Sequence, residues 1–168
     1  MMVRGLLTLA LLALTLGCGS EQEAAELKEY VEAIKGLDSY SRRVQAEILR
    51  FDDPTQKITN DDIKAALGLL TEYQSAVAAV TPPTTSTGGN THELFVRCFD
   101  DAKFIWRPSS TGLASDEKGK LKRQRSSAAI GLRTLRKKLK DRVYPTFNLL
   151  MTRLEMTGEE NELTWPDE

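Results

Sequence analysis

The side chains that most often do chemistry are scarce in this chain. His92 is its only histidine, and Cys18 and Cys98 are its only cysteines. An imidazole at a helix start could act as a general base, or with Met151 or Met156 could ligate haem as periplasmic four-helix cytochromes do. Those bundles draw the methionine from their first helix, and no methionine lies between Ser20 and Phe51. His92, one turn before Phe95, therefore reads as structural. One histidine and two cysteines cannot compose a His/Cys zinc cluster, an iron–sulfur site or a C-x-x-C-H haem attachment. Cys98 lies between Phe95 and Trp106 on one helical face and reads as a small buried hydrophobe, the sharper alternatives being a nucleophile or an intermolecular bridge. Asp52, Asp53, Asp61 and Asp62 surround one connection without the alternating pattern of a calcium loop, so they read as helix terminators and caps. Gly88-Gly89 is a loop rather than a phosphate cradle, and neither G-x-S-x-G nor H-E-x-x-H occurs. The expectation is a non-enzymatic protein with no cofactor and no metal.

Charge bounds the partners. The 168 residues carry 23 Lys and Arg against 24 Asp and Glu, a net charge of −1. A dedicated nucleic-acid binder would carry a basic excess, so no nucleic-acid partner is expected. A basic stretch nonetheless runs from Lys118 to Arg142. Within it Lys137, Lys138, Lys140 and Arg142 are candidate contacts to an anionic partner such as lipid, lipopolysaccharide or peptidoglycan. On a helical wheel these charges spread over the whole non-core arc. A solvated surface, partly paired with Glu26, Glu29 and Glu32 of the first helix, accounts for them as well. Phe104 falls opposite the core stripe of its helix and could mark a partner contact.

The N-terminus reads as an address. Arg4 precedes roughly a dozen apolar residues, the n-region and h-region of a secretory signal. That run is shorter than the span of about 20 residues that a bilayer requires. It ends in Thr15-Leu16-Gly17-Cys18, which resembles the lipobox of bacterial lipoproteins, with Thr15 where the pattern usually has Leu. The resemblance implies cleavage after residue 17, acylation of Cys18 and attachment of the mature chain to a membrane. Gly19 and Ser20 follow the cysteine in place of the Asp of an inner-membrane retention signal. The expected location is the cell envelope, on the outer membrane facing the periplasm.

The elements that would carry these residues are helical throughout. Ser20-x-x-Glu23 has capping-box spacing, and Leu27, Tyr30, Ile34, Leu37, Val44, Ile48 and Phe51 repeat in steps of three and four. One long helix is predicted to Phe51, ended by Asp52-Asp53-Pro54. Thr59-x-x-Asp62 caps a second helix that stops at Thr81-Pro82-Pro83. After a polar loop from Thr84 to Gly89, Asn90-x-x-Glu93 caps a third, bearing Phe95, Cys98, Phe99, Ala102, Ile105 and Trp106. The last begins at Ser115-Asp116-Glu117 and carries Leu132, Leu135, Leu139, Val143, Thr146, Phe147, Leu150 and Leu154. Its stripe keeps phase through Pro145, which predicts a kink rather than a stop. Met156-Thr157-Gly158 ends it.

Together these predict an all-α, up-and-down, four-helix-like bundle with a long kinked last helix. The expected organisation is a signal peptide over 1–17, one helical domain over 18–158 and an acidic mobile tail over 159–168. Pro82-Pro83 followed by His92-x-Leu94-Phe95 is similar to a pattern in all-helical bacterial lipoproteins, which implies an extracytoplasmic bundle and no particular activity. The expected function is that of a lipid-anchored envelope protein that binds or scaffolds, its partners being the membrane through Cys18 and an envelope protein or anionic surface. A small-ligand or cofactor carrier using the bundle interior is the alternative.

Overall fold

Every regular element among the described residues of the computed structural model, 21–106, 117–156, 158 and 162–166, is helical. Helix α1 is described over 21–35, and α2 is Asp38–Asp52; α3 is Asn60–Ala78, α4 Ser86–Trp106, α5 Glu117–Lys138 and α6 Tyr144–Arg153, the last two joined by a π-helical turn, Leu139–Val143. The α1–α2 pair runs out, α3 returns, α4 runs out again and α5–α6 returns, an up-and-down bundle as the sequence predicts. The ends fix this order. Arg125 near the start of α5 holds the end of α2, and Glu26 near the start of α1 accepts hydrogen bonds from Thr84 ahead of α4.

The predicted first helix is two. At Gly36 and Leu37 the chain tightens, with Leu37 N–H bonded to Ile34 O and Tyr40 N–H to Leu37 O, both at 2.9 Å. Glycine fixes little backbone conformation by itself, so a one-turn break is least costly there. The apolar seam survives it: Leu27, Tyr30, Ile34, Val44, Ile48 and Phe51 are all buried. Ser41, the one polar position in the seam, is buried too, its hydroxyl donating to Asp38 O at 2.8 Å.

The Thr59–Asp62 capping box forms, with Asp62 N–H on Thr59 Oγ1 at 3.2 Å and Thr59 N–H on Asp62 Oδ2 at 2.8 Å. Helix α4 starts a turn earlier than Asn90. Thr85 supplies the cap, accepting from Gly88 N–H at 3.1 Å, so the predicted Gly88-Gly89 loop is helix. A Cβ on Gly88 would sit 2.7 Å from Pro83 Cβ, and the glycine lets the double-proline segment pack against the first turn.

Pro145 acts through a local change of helix type. Proline has no N–H to give Asp141 and its ring clashes with that carbonyl. The chain widens ahead of it, and Tyr144 N–H reaches five residues back to Leu139 O. The added residue shifts the phase of the buried stripe. Tyr144 and Met151 are buried beside Val143 and Phe147, whereas Leu150 and Leu154 are half-buried. Helix α6 ends at Arg153, with Glu155 left-handed at φ 58° and Met156 N–H closing on Met151 O at 2.9 Å.

The acidic C-terminal stretch is not a mobile tail where it is described. Leu163 and Trp165 are buried against the bundle. Asn148 donates to Leu163 O at 3.0 Å and accepts from Leu163 N–H at 2.9 Å, and Trp165 Nε1 donates to Gln45 Oε1 at 3.0 Å. Two apolar side chains and a main-chain clamp outweigh the charges beside them.

Helices α4 and α5 approach closely at Gly131, where an added Cβ would lie 2.8 Å from Ala102 O, whereas one on Gly68 in α3 would meet nothing within 4 Å. Gly68→Ala should therefore stabilise the protein by about 0.5–1 kcal/mol through helix propensity. Gly131→Ala should destabilise it by about 1–3 kcal/mol, overpacking exceeding that gain. Paired urea melts of the two variants check the opposite signs.

Candidate functional site

Three of the four tyrosines are buried in the middle of the bundle: Tyr30, Tyr73 and Tyr144. Tyr73 stacks on Tyr40, with ring centroids 5.3 Å apart, and meets Phe99 and Phe95 edge-on. Buried phenols need hydrogen-bond partners, and these have them. Tyr30 Oη and His92 Nδ1 share a bond of 3.1 Å, and the hydroxyls of Tyr73 and Tyr144 lie 3.5 Å apart. Burial raises the pKa of all three phenols, Tyr144 to about 12, and lowers that of His92. The network is thus held uncharged. His92 is a structural hydrogen-bonding partner, as its place near an apolar face predicts.

Tyr73 and Tyr144 also reach the surface chemistry. They form the floor of a cleft of about 360 Å³ between the α1–α2 break, α6 and the C-terminal strap 162–166. Its rim carries both signs: Lys35, Asp38 and Arg42 on the helices, and Glu162 on the strap. Asp38 is oriented from two sides, accepting from Ser41 Oγ at 3.0 Å and from Arg42 Nε at 2.5 Å. Phenols held protonated donate hydrogen bonds and are poor bases, and Ser41 has no imidazole beside it. The cleft has the size of a small-molecule or short-peptide pocket.

The remaining predicted site residues fall elsewhere. Cys18 lies outside the described residues. Lys137 pairs with Asp141 on its own helix, and Lys138 pairs with Asp101 of α4. Lys140 and Arg142 are exposed. Other cations of the stretch turn inward. Arg125 donates to the carbonyls of Phe51 at 3.0 Å, Asp53 at 2.5 Å and Gln56 at 3.1 Å, and so holds the end of α2. Arg133 pairs with Asp52 at 3.7 Å and Arg136 reaches Gln45 at 3.4 Å. These cations meet aspartates, main-chain carbonyls and the Gln45 amide, and Glu26 is engaged by Thr84. Cys98 is fully buried, as a small hydrophobe between Phe95 and Trp106 would be, and burial pushes its thiol up to about 11.

Among the described residues no cluster of His, Cys, Asp and Glu could hold a metal ion, and no helix is long and apolar enough to cross a membrane. No family model, curated protein or solved structure matches the chain.

The cleft residues Tyr73, Tyr144, Glu162 and Leu163 were not legible as a set. An apolar pair two residues apart inside an acidic stretch, Leu163-x-Trp165, is the one sequence signal that marks the strap.

Two measurements follow. Asn148→Leu removes both bonds to Leu163 and should cost about 1–2 kcal/mol. Trp165 emission should shift to the red as the strap leaves the bundle. The second concerns pH. A histidine whose folded pKa lies below its unfolded value leaves the unfolded chain binding more protons. That contribution is fully present above the unfolded value near 6.5 and is lost as pH falls from there through the folded value. Denaturant titrations between neutral and mildly acidic pH should show wild type losing stability on acidification more steeply than His92→Gln.

Proposed function

We propose that this protein is a lipid-anchored helical module of the bacterial envelope that works by binding rather than by catalysis, with the strap-lined cleft as its recognition surface. The observation that carries the reading is the cleft itself. Neutral tyrosine hydroxyls form its floor, an oriented Asp38–Arg42 pair and Lys35 stand on one rim, and Glu162 stands on the other. Such a site suits a small ligand or peptide end bearing both signs of charge.

The anchor rests on Thr15-Leu16-Gly17-Cys18 and the apolar run before it. Residue 21, three positions beyond Cys18 in the sequence, is already helical. Acylation there would hold the α1 end of the bundle at the membrane, with the cleft at the far end of α1. Two or three acyl chains make release slow, whereas one gives marginal binding. A periplasm-facing outer-membrane location follows from Gly19 and Ser20 in place of the retention aspartate.

Filled packing argues against carriage inside the bundle. Phe95, Phe99 and Phe147 are fully buried, and Tyr30 and Tyr73 nearly so, leaving the cleft as the more suitable place for a ligand. Electrostatic docking through Lys137, Lys138, Lys140 and Arg142 is the weaker route to a partner, because two of the four already have aspartates.

Cys18→Ala should abolish acyl labelling and move the protein from the membrane to the soluble fraction; a wild type already soluble and unlabelled overturns the anchor. Reversing Lys137, Lys138, Lys140 and Arg142 together should leave binding to anionic vesicles and glycan unchanged, at about a few tenths of a kcal/mol of stability per surface pair. Salt-sensitive binding lost in that variant would transfer the recognition surface from the cleft to the basic helix.

A further inference from the structure

The strap 162–166 is held as a receptor holds an extended peptide. Its side chains alternate: Glu162 and Thr164 are exposed, whereas Leu163 and Trp165 are buried. Such alternation marks an extended backbone recognised through every second side chain. The main chain is recognised as well. Asn148 of α6 accepts from Leu163 N–H at 2.9 Å and donates to Leu163 O at 3.0 Å, so one carboxamide satisfies both backbone groups of one residue. Gln45 of α2 accepts the Trp165 indole N–H at 3.0 Å, and Arg136 of α5 donates to the same oxygen at 3.4 Å.

These receptor groups all stand on helices. Val44 and Ile48 of α2, and Phe147 and Met151 of α6, are buried on either side of them in the core. The bundle therefore builds the groove, and the strap fills it. What holds the strap is slight by comparison: two side chains and three hydrogen bonds. A segment near a chain end that belongs to no helix or sheet opens at the least cost.

We propose that the groove under the strap is a docking site for an extended segment of a partner polypeptide, carrying a leucine-like and an indole side chain two residues apart. The strap is its resting occupant. A second copy of this chain is a poorer one, since it offers the same segment without a tether. Five residues, 157–161, join the resident strap to Met156. So short a connection gives the strap an effective concentration on the order of millimolar. Displacing it takes a better-fitting segment, which a distinct partner can supply and an identical strap cannot. Glu162 and Leu163 also line the cleft, so entry of the partner would remove that wall. The inference rests on the reading that the protein works by binding, and it adds a polypeptide under the strap to a ligand in the cleft.

The test uses the full chain and a fluorescently labelled peptide with the sequence of residues 161–168. Leu163→Ser with Trp165→Ser empties the groove of its own strap. That variant should bind the peptide saturably in fluorescence anisotropy, at least about ten-fold more tightly than wild type, whose tethered strap competes. Serine in place of the peptide's leucine and tryptophan should abolish binding. Alanine at its two outward positions, matching Glu162 and Thr164, should leave binding unchanged. Asn148→Leu added to the double variant should weaken it several-fold. A second measurement needs no variant: in wild type labelled with fluorotryptophan, millimolar unlabelled peptide should move the Trp165 fluorine resonance to a solvent-exposed position and leave that of Trp106 in place. An unmoved Trp165 resonance, equal binding to wild type and double variant, or binding indifferent to Asn148→Leu would each overturn the proposal. So would a wild-type dimer that the double variant fails to form, because the occupant would then be a second copy. Cys18 and the Lys35, Asp38 and Arg42 rim are unchanged throughout, so a failed titration leaves the anchor and the cleft as they stand.

Discussion

Much of this structure depends on one missing hydrogen. Pro145 cannot donate to Asp141, and its ring cannot sit beside that carbonyl in an α-helix. The chain responds with a π-turn over Leu139–Val143. One added residue rotates everything after it. Tyr144 turns toward Tyr73, Met151 replaces Leu150 in the interior, and Asn148 comes to face the strap. The cleft, its tyrosine floor and the clamp on Leu163 all inherit their positions from that turn.

A second constraint is electrical neutrality inside the bundle. Hydroxyls, an imidazole and an amide lie among phenylalanines, and each is used in a neutral hydrogen bond: Tyr30 with His92, Tyr73 with Tyr144, Trp165 with Gln45. Burial drives the phenols up and the imidazole down in pKa, which keeps charge out of the core near neutral pH. Two neighbouring tyrosine hydroxyls at the base of a surface cleft therefore act as permanent donors. Charge is confined to the rim, where Asp38, Arg42, Lys35 and Glu162 remain hydrated.

The basic stretch illustrates how position decides what a charge does. Arg125 closes the carbonyls at the end of α2, a role any helix C-terminus offers a guanidinium that can reach it. Arg133, Lys137 and Lys138 find aspartates, and Lys140 and Arg142 face water. A run that looks continuous along the chain is divided among three tasks in the folded bundle.

The helical class, the up-and-down order and most of the core were readable in advance. Steps of three and four, the Thr59–Asp62 box and the double proline act over one or two turns, and such local rules are written in the residues themselves. The burial of Cys98 and His92 was readable for the same reason: each sits on a face whose neighbours are apolar. Long-range packing decided the rest. Gly36 breaks the first helix because the seam can be buried on both sides of a turn. Thr85 outcompetes Asn90 as a cap because Pro83 can pack on Gly88. The acidic strap docks because a groove beside α6 accepts Leu163 and Trp165, and that groove exists only after Pro145 has shifted the helix phase. Periodicity names the face a helix will bury; what it meets there, and which polar groups are left at the edge to form a site, depends on elements distant in the chain.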